Sequence, residues 1–196
     1  MNIELIEKEL QSADSLLQNY TNNVTVFGSA RTNQDDVLSS QARELGKLLS
    51  DSGFNILTGG GPGIMESVNR GAFEGKSSSI GLNITLDHEQ FPNPYLDEVI
   101  TFEHFFTRKY ALINYSLACV YFPGGFGTGD ELLEVLTLIQ TKKIRPIKVF
   151  LYGTEFWKPL VDWFKDLDNI NFVNGNYLDS LYVVDDIHKI VKILQE

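Results

Sequence analysis

The stretch of the sequence best suited to chemistry is 123-PGGFGTGDE-131, which packs four glycines into nine residues and ends in two carboxylates. It follows an apolar run, 117-LACVYF-122, and precedes a helix-like run, 132-LLEVLTLIQ-140. A glycine-rich turn that enters a helix lets an anion approach unpaired N–H groups at the positive end of the helix dipole. The pattern predicts that a phosphate, or another oxyanion, binds the 123–129 loop.

A second loop of this kind lies earlier in the chain, where the strand in 54-FNILTGGGPG-63 runs into glycines before a helix. Pro62 suits a helix start, because its missing N–H has no intrahelical partner there. The first strand also ends in small residues, 28-GSAR-31. One such turn is often only a tight connection, but two together indicate a ligand site beyond the carboxyl ends of parallel strands.

Glu131 has two interpretations. Thr128 and Glu131 are spaced as a capping box, in which Thr128 is the N-cap and Glu131 reaches back from the third helical position. Alternatively, the Glu131 carboxylate projects beside the anion-binding loop and takes part in chemistry. The two interpretations do not exclude each other.

Two cations, Arg108 and Lys109, lie in the aromatic-rich segment 102-FEHFFTRKYALIN-114. Their stems could simply cover apolar surface. In a chain with a net charge of −10, they could equally meet a phosphate, with Arg108 as a bidentate donor and Lys109 as a point charge.

The elements that position these residues alternate along the chain. Helices are predicted over 2–20, 35–51, 63–74, 104–116, 128–141, 155–167 and 185–195. Strands are predicted within 24–31 and 54–63 and over 79–84, 98–102, 117–122 and 147–152. This alternation of short apolar strands with helices predicts an α/β fold: a three-layer, Rossmann-like domain over residues 1–196, with a central parallel sheet and helices on both faces. In the first helix, Ile3, Ile6, Leu10 and Leu17 form the expected buried side.

Composition excludes several classes of protein. The acidic balance argues against a general binder of nucleic acid or anionic membranes. A single cysteine, Cys119, forbids an internal disulfide, and the sequence shows neither a signal peptide nor a run long enough to span a membrane. We expect a soluble cytoplasmic protein. The histidines His88, His104 and His188 have no metal-ligand spacing, so no metal or cofactor is expected.

Taken together, 58-TGGGPGIMESVNRGA-72, 81-GLNI-84, 89-EQFPNPY-95, 105-FFTRK-109 and 123-PGGFGTGDE-131 resemble the LONELY GUY (LOG) family, formerly labelled "lysine decarboxylase-like". The resemblance rests on P-G-G-x-G-T-x-x-E with an R-K pair upstream and covers about residues 22–165. It leaves an N-terminal helix within 1–21 and a C-terminal helix at 185–195.

The resemblance implies a nucleoside 5′-monophosphate phosphoribohydrolase, which cleaves the N-glycosidic bond of a cytokinin riboside monophosphate or AMP. It implies Arg108 and Glu131 as the catalytic pair, and a homodimer or larger assembly. The implied nucleotide site comprises Gly60, Gly61, Gly63, Glu89, Arg108, Lys109, Gly124, Gly125, Phe126, Gly127, Thr128, Gly129 and Asp130. Where the family carries Leu or another larger residue, this chain has Gly129.

Two other functions are compatible with parts of the sequence or with the earlier label. A pyridoxal-phosphate decarboxylase needs a Schiff-base lysine and an acidic partner for the pyridinium nitrogen, and no stretch of the sequence supplies that pair. A non-catalytic carrier or sensor, similar to molybdenum-cofactor carriers of this fold type, could use the same loops without turnover. The presence of both Arg108 and Glu131 favours the enzyme.

Overall fold

Strands and helices alternate along the chain in the computed structural model, which describes residues 2–86, 91–173 and 179–196. The strands are β1 Asn23–Phe27, β2 Asn55–Thr58, β3 Ser79–Ile84, β4 Glu98–Phe102, β5 Ala118–Tyr121, β6 Lys148–Tyr152 and β7 Leu181–Val184. The helices are α1 Ile3–Leu17, α2 Val37–Asp51, α3 Ile64–Phe73, α4 Phe105–Asn114, α5 Phe126–Gln140, α6 Thr154–Asn169 and α7 Ile187–Gln195.

All seven strands form one parallel sheet in the order β4-β3-β2-β1-β5-β6-β7. The central strand β1 pairs with β2 on one side and β5 on the other, so that Thr25 is in register with both Leu57 and Cys119. The chain therefore builds outward from β1 to β4 and then returns to the opposite side of β1. In parallel sheets, such a reversal opens a crevice beyond the carboxyl ends of the two strands at the switch point.

Helices cover both faces of the sheet, which confirms the predicted three-layer α/β class. One core cluster joins the sheet to α1, α4, α5 and α6, with Leu112, Leu132 and Trp157 among its buried residues. The other joins the sheet to α2, α3 and α7. Because apolar side chains fill both faces, every residue of β1, β3 and β5 is buried.

The edges of the sheet differ from the expected pattern of uniformly buried strands. Strand β7, a four-residue edge strand that periodicity did not reveal, buries only Val184 fully. The opposite edge strand β4 buries only Phe102 fully. An edge strand has a neighbour on one side only, so its side chains are not obliged to form a continuous apolar run.

The buried face of α1 overlaps the predicted one only in part. Its buried residues are Glu9, Ala13 and Leu17, whereas Ile3 is 73% exposed. Of the predicted apolar side, only Leu17 is fully buried. The spacing of four residues between Glu9, Ala13 and Leu17 defines one helical face, and the carboxylate on that face is used in a contact with α4 that apolar periodicity cannot detect.

Candidate active site

A cleft of about 810 Å³ lies at the switch point between β1 and β5. Its lining comes from the ends of β1, β3 and β5, the first turns of α3 and α4, and the first two turns of α5. The lining residues are Gly28, Ser29, Ala30, Arg31, Met65, Ile84, Leu86, Phe105, Arg108, Gly124, Gly125, Phe126, Gly127, Thr128 and Glu131. The two residues expected to be catalytic thus both line this cleft.

Ser29 links two walls of this cleft through backbone hydrogen bonds. Its backbone N–H donates to the Pro123 carbonyl at 3.1 Å, and its carbonyl accepts from the N–H of Ile64 at 3.0 Å. The side-chain oxygen of Ser29 accepts from the N–H of Arg31 at 3.1 Å. The β1 loop therefore ties the 123–129 loop to the start of α3, which makes the cleft a preformed feature of the fold.

Helix α5 begins two residues earlier than predicted, and this overturns the capping-box interpretation. Gly125 is the N-cap and has no side chain to cap with, and the N–H of Gly129 donates to its carbonyl at 3.0 Å. Thr128 is consequently the third helical residue, and Glu131 lies in the second turn, out of reach of the N-cap. The first-turn N–H groups of Phe126, Gly127 and Thr128 have no intrahelical partner and remain available to a ligand.

The glycines of the 123–129 loop leave open space. A Cβ added to Gly125, Gly127 or Gly129 would meet nothing within 4 Å. Gly124 differs, because a Cβ there would lie 2.2 Å from the Thr128 hydroxyl. Gly125 and Gly127 line the cleft, whereas Gly129 does not. The family's larger residue at position 129 would thus find room without entering the cleft.

Arg108 and Glu131 face each other in the wall of the cleft. An Arg108 terminal nitrogen lies 3.9 Å from Glu131 Oε1, and the side chains are 8% and 13% exposed. Arg108 Nε donates to the Leu82 carbonyl at 2.6 Å. Its other terminal nitrogen, Nη2, lies only 1.9 Å from the position that a Cβ on Gly59 would take. Gly59, which was not among the expected site residues, therefore makes room for the guanidinium.

Burial shifts the proton affinities of both groups. It raises the pKa of the Glu131 carboxyl to about 7, although Arg108 and Lys109 oppose the shift. It also lowers the pKa of Arg108, an effect that Glu131 opposes. Since an arginine pKa starts far above neutrality, Arg108 stays charged. A carboxyl that titrates near neutral pH can exchange protons during catalysis.

Lys109 and Asp130 do not line the cleft. Lys109 Nζ forms ion pairs with Asp130 Oδ2 and Glu134 Oε2, both at 2.8 Å, and these pairs link α4 to α5. The side chain of Asp130 is 62% exposed. Helical geometry explains why Arg108 lines the cleft and Lys109 does not. The two residues differ by about 100° around the axis of α4, so only one of them can face the cleft.

The predicted phosphate-binding glycines of the 58–63 loop lie behind the wall of the cleft. Gly60, Gly61 and Gly63 are buried, and none of them lines the cleft. Their carbonyls are used within the protein: the Asn93 backbone N–H donates to Gly60 at 2.8 Å, and the Asn93 side-chain amide donates to Gly61 at 3.1 Å. From this part of the chain, only Met65 reaches the cleft.

Some site residues were predicted from sequence and others were missed. Glu89 and His88 lie outside the described residues. The missed lining residues include Arg31, Met65 and Phe105. The small-residue strand end 28-GSAR-31 was a signal for Arg31, but nothing local marked Met65 or Phe105.

Within residues 2–86, 91–173 and 179–196, no group of three or more His, Cys, Asp or Glu residues could hold a metal ion. The helices of these same ranges include none with the length and hydrophobicity of a membrane span.

The chain is similar in sequence to two kinds of curated protein. The chain is 31% identical over 157 residues to the pyrimidine/purine nucleotide 5′-monophosphate nucleosidase of Escherichia coli, covering 75% of this chain and 34% of that protein. It is 30% identical over 119 residues to the cytokinin riboside 5′-monophosphate phosphoribohydrolase LOG1 of Arabidopsis thaliana, covering 60% and 56% of the two chains. The chain thus spans about a third of the first relative and about half of the second.

Among solved structures, the molybdenum cofactor carrier protein of Chlamydomonas reinhardtii matches with a TM-score of 0.65 at 24% identity, covering 90% of this chain and 99% of that one. At this identity the likeness concerns the fold. A family model described as "Possible lysine decarboxylase" matches residues 65–194, which include both Arg108 and Glu131. On this match and the curated relatives, the chain belongs to the LOG family.

Proposed function

We propose that this protein is a nucleoside 5′-monophosphate phosphoribohydrolase. It hydrolyses the N-glycosidic bond of AMP or a cytokinin riboside monophosphate and releases the free base and ribose 5-phosphate. The observation that carries the proposal is the buried Arg108–Glu131 pair, which lies in the cleft beside the uncapped start of α5. The names of the E. coli and Arabidopsis relatives support it.

The phosphate of the nucleotide binds at the start of α5. Gly125 and Gly127 let it approach the first-turn N–H groups, where the helix dipole favours a negative charge. Arg31 lines the same cleft and is exposed. Binding energy from the phosphate, remote from the reacting bond, holds the ribose in position for cleavage.

Glu131 acts on the ribose. Breaking an N-glycosidic bond builds positive charge on the sugar, as an oxocarbenium-like centre. The Glu131 carboxylate stabilises that charge and takes a proton from the water that attacks the anomeric carbon. The glycosidic electron pair leaves with the base, which takes up a proton from solvent, and Glu131 then returns the proton taken from water to solvent, so that one water is consumed for each bond broken.

Arg108 keeps Glu131 in its working state. Burial alone would favour the neutral carboxyl, and the guanidinium opposes that effect. The hydrogen bond from Nε to Leu82 and the contact with Gly59 hold the guanidinium in one place. Its remaining N–H groups can orient the nucleotide.

The description "Possible lysine decarboxylase" does not fit the cleft. Among the described residues, the lining includes no lysine that could form a Schiff base. Lys109, next to Arg108 in sequence, is held by two carboxylates outside the cleft. We therefore propose hydrolysis rather than decarboxylation.

A carrier that binds without turnover is the second candidate, favoured by the fold likeness to the molybdenum cofactor carrier of Chlamydomonas reinhardtii. A carrier has no need of a carboxyl that titrates near neutrality beside a buried arginine. Detection of a released base separates the two.

Assembly and domain organisation belong to the same proposal. The outward side of α4 exposes Phe105, Phe106 and Tyr110, each about half exposed, and Phe105 also lines the cleft. An exposed aromatic patch supports association of two or more copies. We propose that single-domain chains form a homo-oligomer, at least a dimer, in the cytoplasm. Light scattering of the purified protein would test the number of chains in the oligomer.

The proposed activity is tested by incubating the protein with AMP, isopentenyl-AMP and a panel of other monophosphates and measuring free base by chromatography. Glu131→Gln should reduce base release at least ~100-fold, as expected for loss of a general base, while nucleotide binding persists. Glu134→Gln is the matched control, since Glu134 lies one turn along α5 and pairs with Lys109 outside the cleft. It should stay within about threefold of the original rate, because it makes no contact in the cleft.

Two results would contradict the proposal. If the unaltered protein binds nucleotides but releases no base from any of them, the carrier function replaces the enzyme. If Glu131→Gln retains its activity, Glu131 has no catalytic role.

A further inference from the structure

Glu9 is a buried carboxylate on α1 that contacts the start of α4. Glu9 is 5% exposed. Its Oε1 accepts from the backbone N–H of Glu103 at 2.6 Å, and its Oε2 accepts from the Thr107 hydroxyl at 2.6 Å. The Nδ1 of His104 lies 3.1 Å from the same Oε2. Both carboxylate oxygens are therefore committed to the first turn of α4 and the residue before it.

The helix that receives these contacts lacks a cap of its own. The N-cap of α4 is His104, whose side chain makes no capping hydrogen bond. Negative charge is favourable at this end of a helix. Burial opposes ionisation of Glu9, but its hydrogen bonds and nearby His104 hold the pKa of the carboxyl below its ordinary value. Glu9 thus places, from another helix, a buried negative charge at the start of α4, where His104 makes no capping hydrogen bond.

The contact lies one residue from the candidate catalytic arginine. Thr107, whose hydroxyl oxygen lies 2.6 Å from Glu9 Oε2 and 2.8 Å from the His104 carbonyl oxygen, immediately precedes Arg108. The backbone N–H of Arg108 closes the first turn by donating to that same carbonyl at 3.2 Å. The side chain of Arg108 is then held by the Leu82 carbonyl and faces Glu131. A shift of this turn would move the guanidinium relative to the carboxyl.

We propose that Glu9 is a positioning residue, which acts through Thr107 and the first turn of α4 to hold Arg108 opposite Glu131. Helix α1 precedes residues 65–194 that the family model matches. An element outside the matched segment therefore sets the geometry of the candidate catalytic pair. The kinetic consequence rests on the phosphoribohydrolase function proposed above, whereas the placement of Arg108 does not.

The test compares Glu9→Ala and Glu9→Gln with Glu7→Gln. Glu7 is an exposed glutamate on the same helix, and its hydrogen bond is with Gln11 of α1. For Glu9→Ala, kcat for base release should fall about 10- to 100-fold, the size of effect that a small misplacement of a catalytic group produces. KM should change less than about threefold, because the phosphate-binding N–H groups of α5 are untouched. Glu7→Gln should match the unaltered protein.

Glu9→Gln provides the conservative replacement. Its amide keeps the shape of the side chain and one acceptor oxygen but loses the charge, so kcat should fall only about 2- to 5-fold. If Glu9→Ala does not fold, Glu9→Gln carries the test alone.

A second measurement does not depend on turnover. Carbon-13 NMR of labelled glutamate carboxyls follows the titration of Glu131, identified by its absence in Glu131→Gln. The charged groups acting on Glu131 are Arg108 and Lys109 from α4, and Asp130 and Glu134 from α5. In Glu9→Ala the pKa of Glu131 should rise by at least about 0.5, because Arg108 is no longer held near it.

A variant that melts at a lower temperature but keeps the original kcat and the original Glu131 titration would overturn the proposal, and Glu9 would be a structural cap only. If the unaltered protein releases no base, the proposed function has failed, and the Glu131 titration alone decides the role of Glu9.

Discussion

The 58–63 and 123–129 loops look alike in sequence, yet their glycines serve different purposes. In the 58–63 loop the protein itself occupies the space: a Cβ on Gly63 would lie 2.3 Å from the Ser29 carbonyl oxygen, and one on Gly60 would lie 3.2 Å from the Gly81 Cα. In the 123–129 loop, a Cβ on Gly125 or Gly127 would meet no protein atom within 4 Å. Glycine-rich turns thus indicate that something approaches the backbone closely, but they do not say whether it is protein or ligand.

The two loops still cooperate at one site. The 58–63 loop makes room for the Arg108 guanidinium at Gly59 and is held by Asn93. The 123–129 loop opens the start of α5 to the cleft and leads to Glu131. One loop supports the candidate catalytic pair from behind, and the other presents the surface that a phosphate can reach.

The largest expected effect is a loss of protein stability when a glycine of the 58–63 loop is replaced. Gly63 has φ 69° and ψ −130°, a conformation open to few residues other than glycine. Gly63→Ala should lower the free energy of unfolding by about 3 kcal/mol or more, because it adds a backbone clash to this strain. Urea denaturation measures the change.

Gly53→Ala is the matched control for Gly63→Ala, since Gly53 also has positive φ, at 88°, but no atom within 4 Å of an added Cβ. It should cost only about 1–2 kcal/mol, the strain without the clash. Equal losses in the two variants would show that close packing is not what distinguishes the 58–63 loop.

The second prediction concerns the helix that follows the 123–129 loop. The pKa of Glu131 is about 7 in the folded chain, above its ordinary value of 4.5. The folded chain therefore holds this proton more tightly than the unfolded chain, and stability present below pH 4.5 is lost as the pH rises through 7. At pH 8, Glu131→Gln should be about 1–3 kcal/mol more stable than the unaltered protein.

Thermal melts from pH 4.5 to pH 8 would test this sign. Over the same range the rate of base release should rise through pH 7, because the proposed mechanism uses the carboxylate. A rate that falls above pH 7 would instead make Glu131 a proton donor.

A third and smaller effect separates ligand approach from packing within the 123–129 loop. Gly127→Ala places a methyl group in the cleft and should raise KM about tenfold, equivalent to about 1.4 kcal/mol of binding. Gly129→Ala, two residues away and outside the cleft lining, should leave KM unchanged. Both should be as stable as the original chain or more so, by up to about 1 kcal/mol, because alanine favours a helix. Equal KM values would argue that no ligand approaches the loop.

The smallest effect is expected at Lys109, where two assignments compete. If Lys109 binds the nucleotide, as the resemblance implies, Lys109→Gln should raise KM at least about tenfold. Because Lys109 forms ion pairs with Asp130 and Glu134, we instead expect Lys109→Gln to change KM by less than about threefold. The same substitution should lower the free energy of unfolding by about 1 kcal/mol. Lys165→Gln provides a control, since Lys165 pairs with Asp162 on the surface of α6. A large rise in KM with unchanged stability would return Lys109 to the substrate site.

The sequence by itself determined the class of fold, and its resemblance to the LOG family pointed to the two residues of the candidate catalytic pair. Apolar periodicity located six of the seven strands and all seven helices in the part of the chain that the structure describes, since those elements must bury apolar faces whatever their neighbours are. The glycine-rich loop before a helix indicated an open helix start, because that property is encoded within a few consecutive residues.

Tertiary structure alone decided the rest. Local spacing suggested a capping box at Thr128 and Glu131, but helix α5 starts at Phe126, so Glu131 faces Arg108 instead. No short-range pattern distinguishes Gly127 from Gly63, or brings Glu9 to Thr107 across 98 positions. The sequence of a loop is a local property. The atom that occupies the space beside the loop depends on how distant segments pack, and packing is a property of the whole fold.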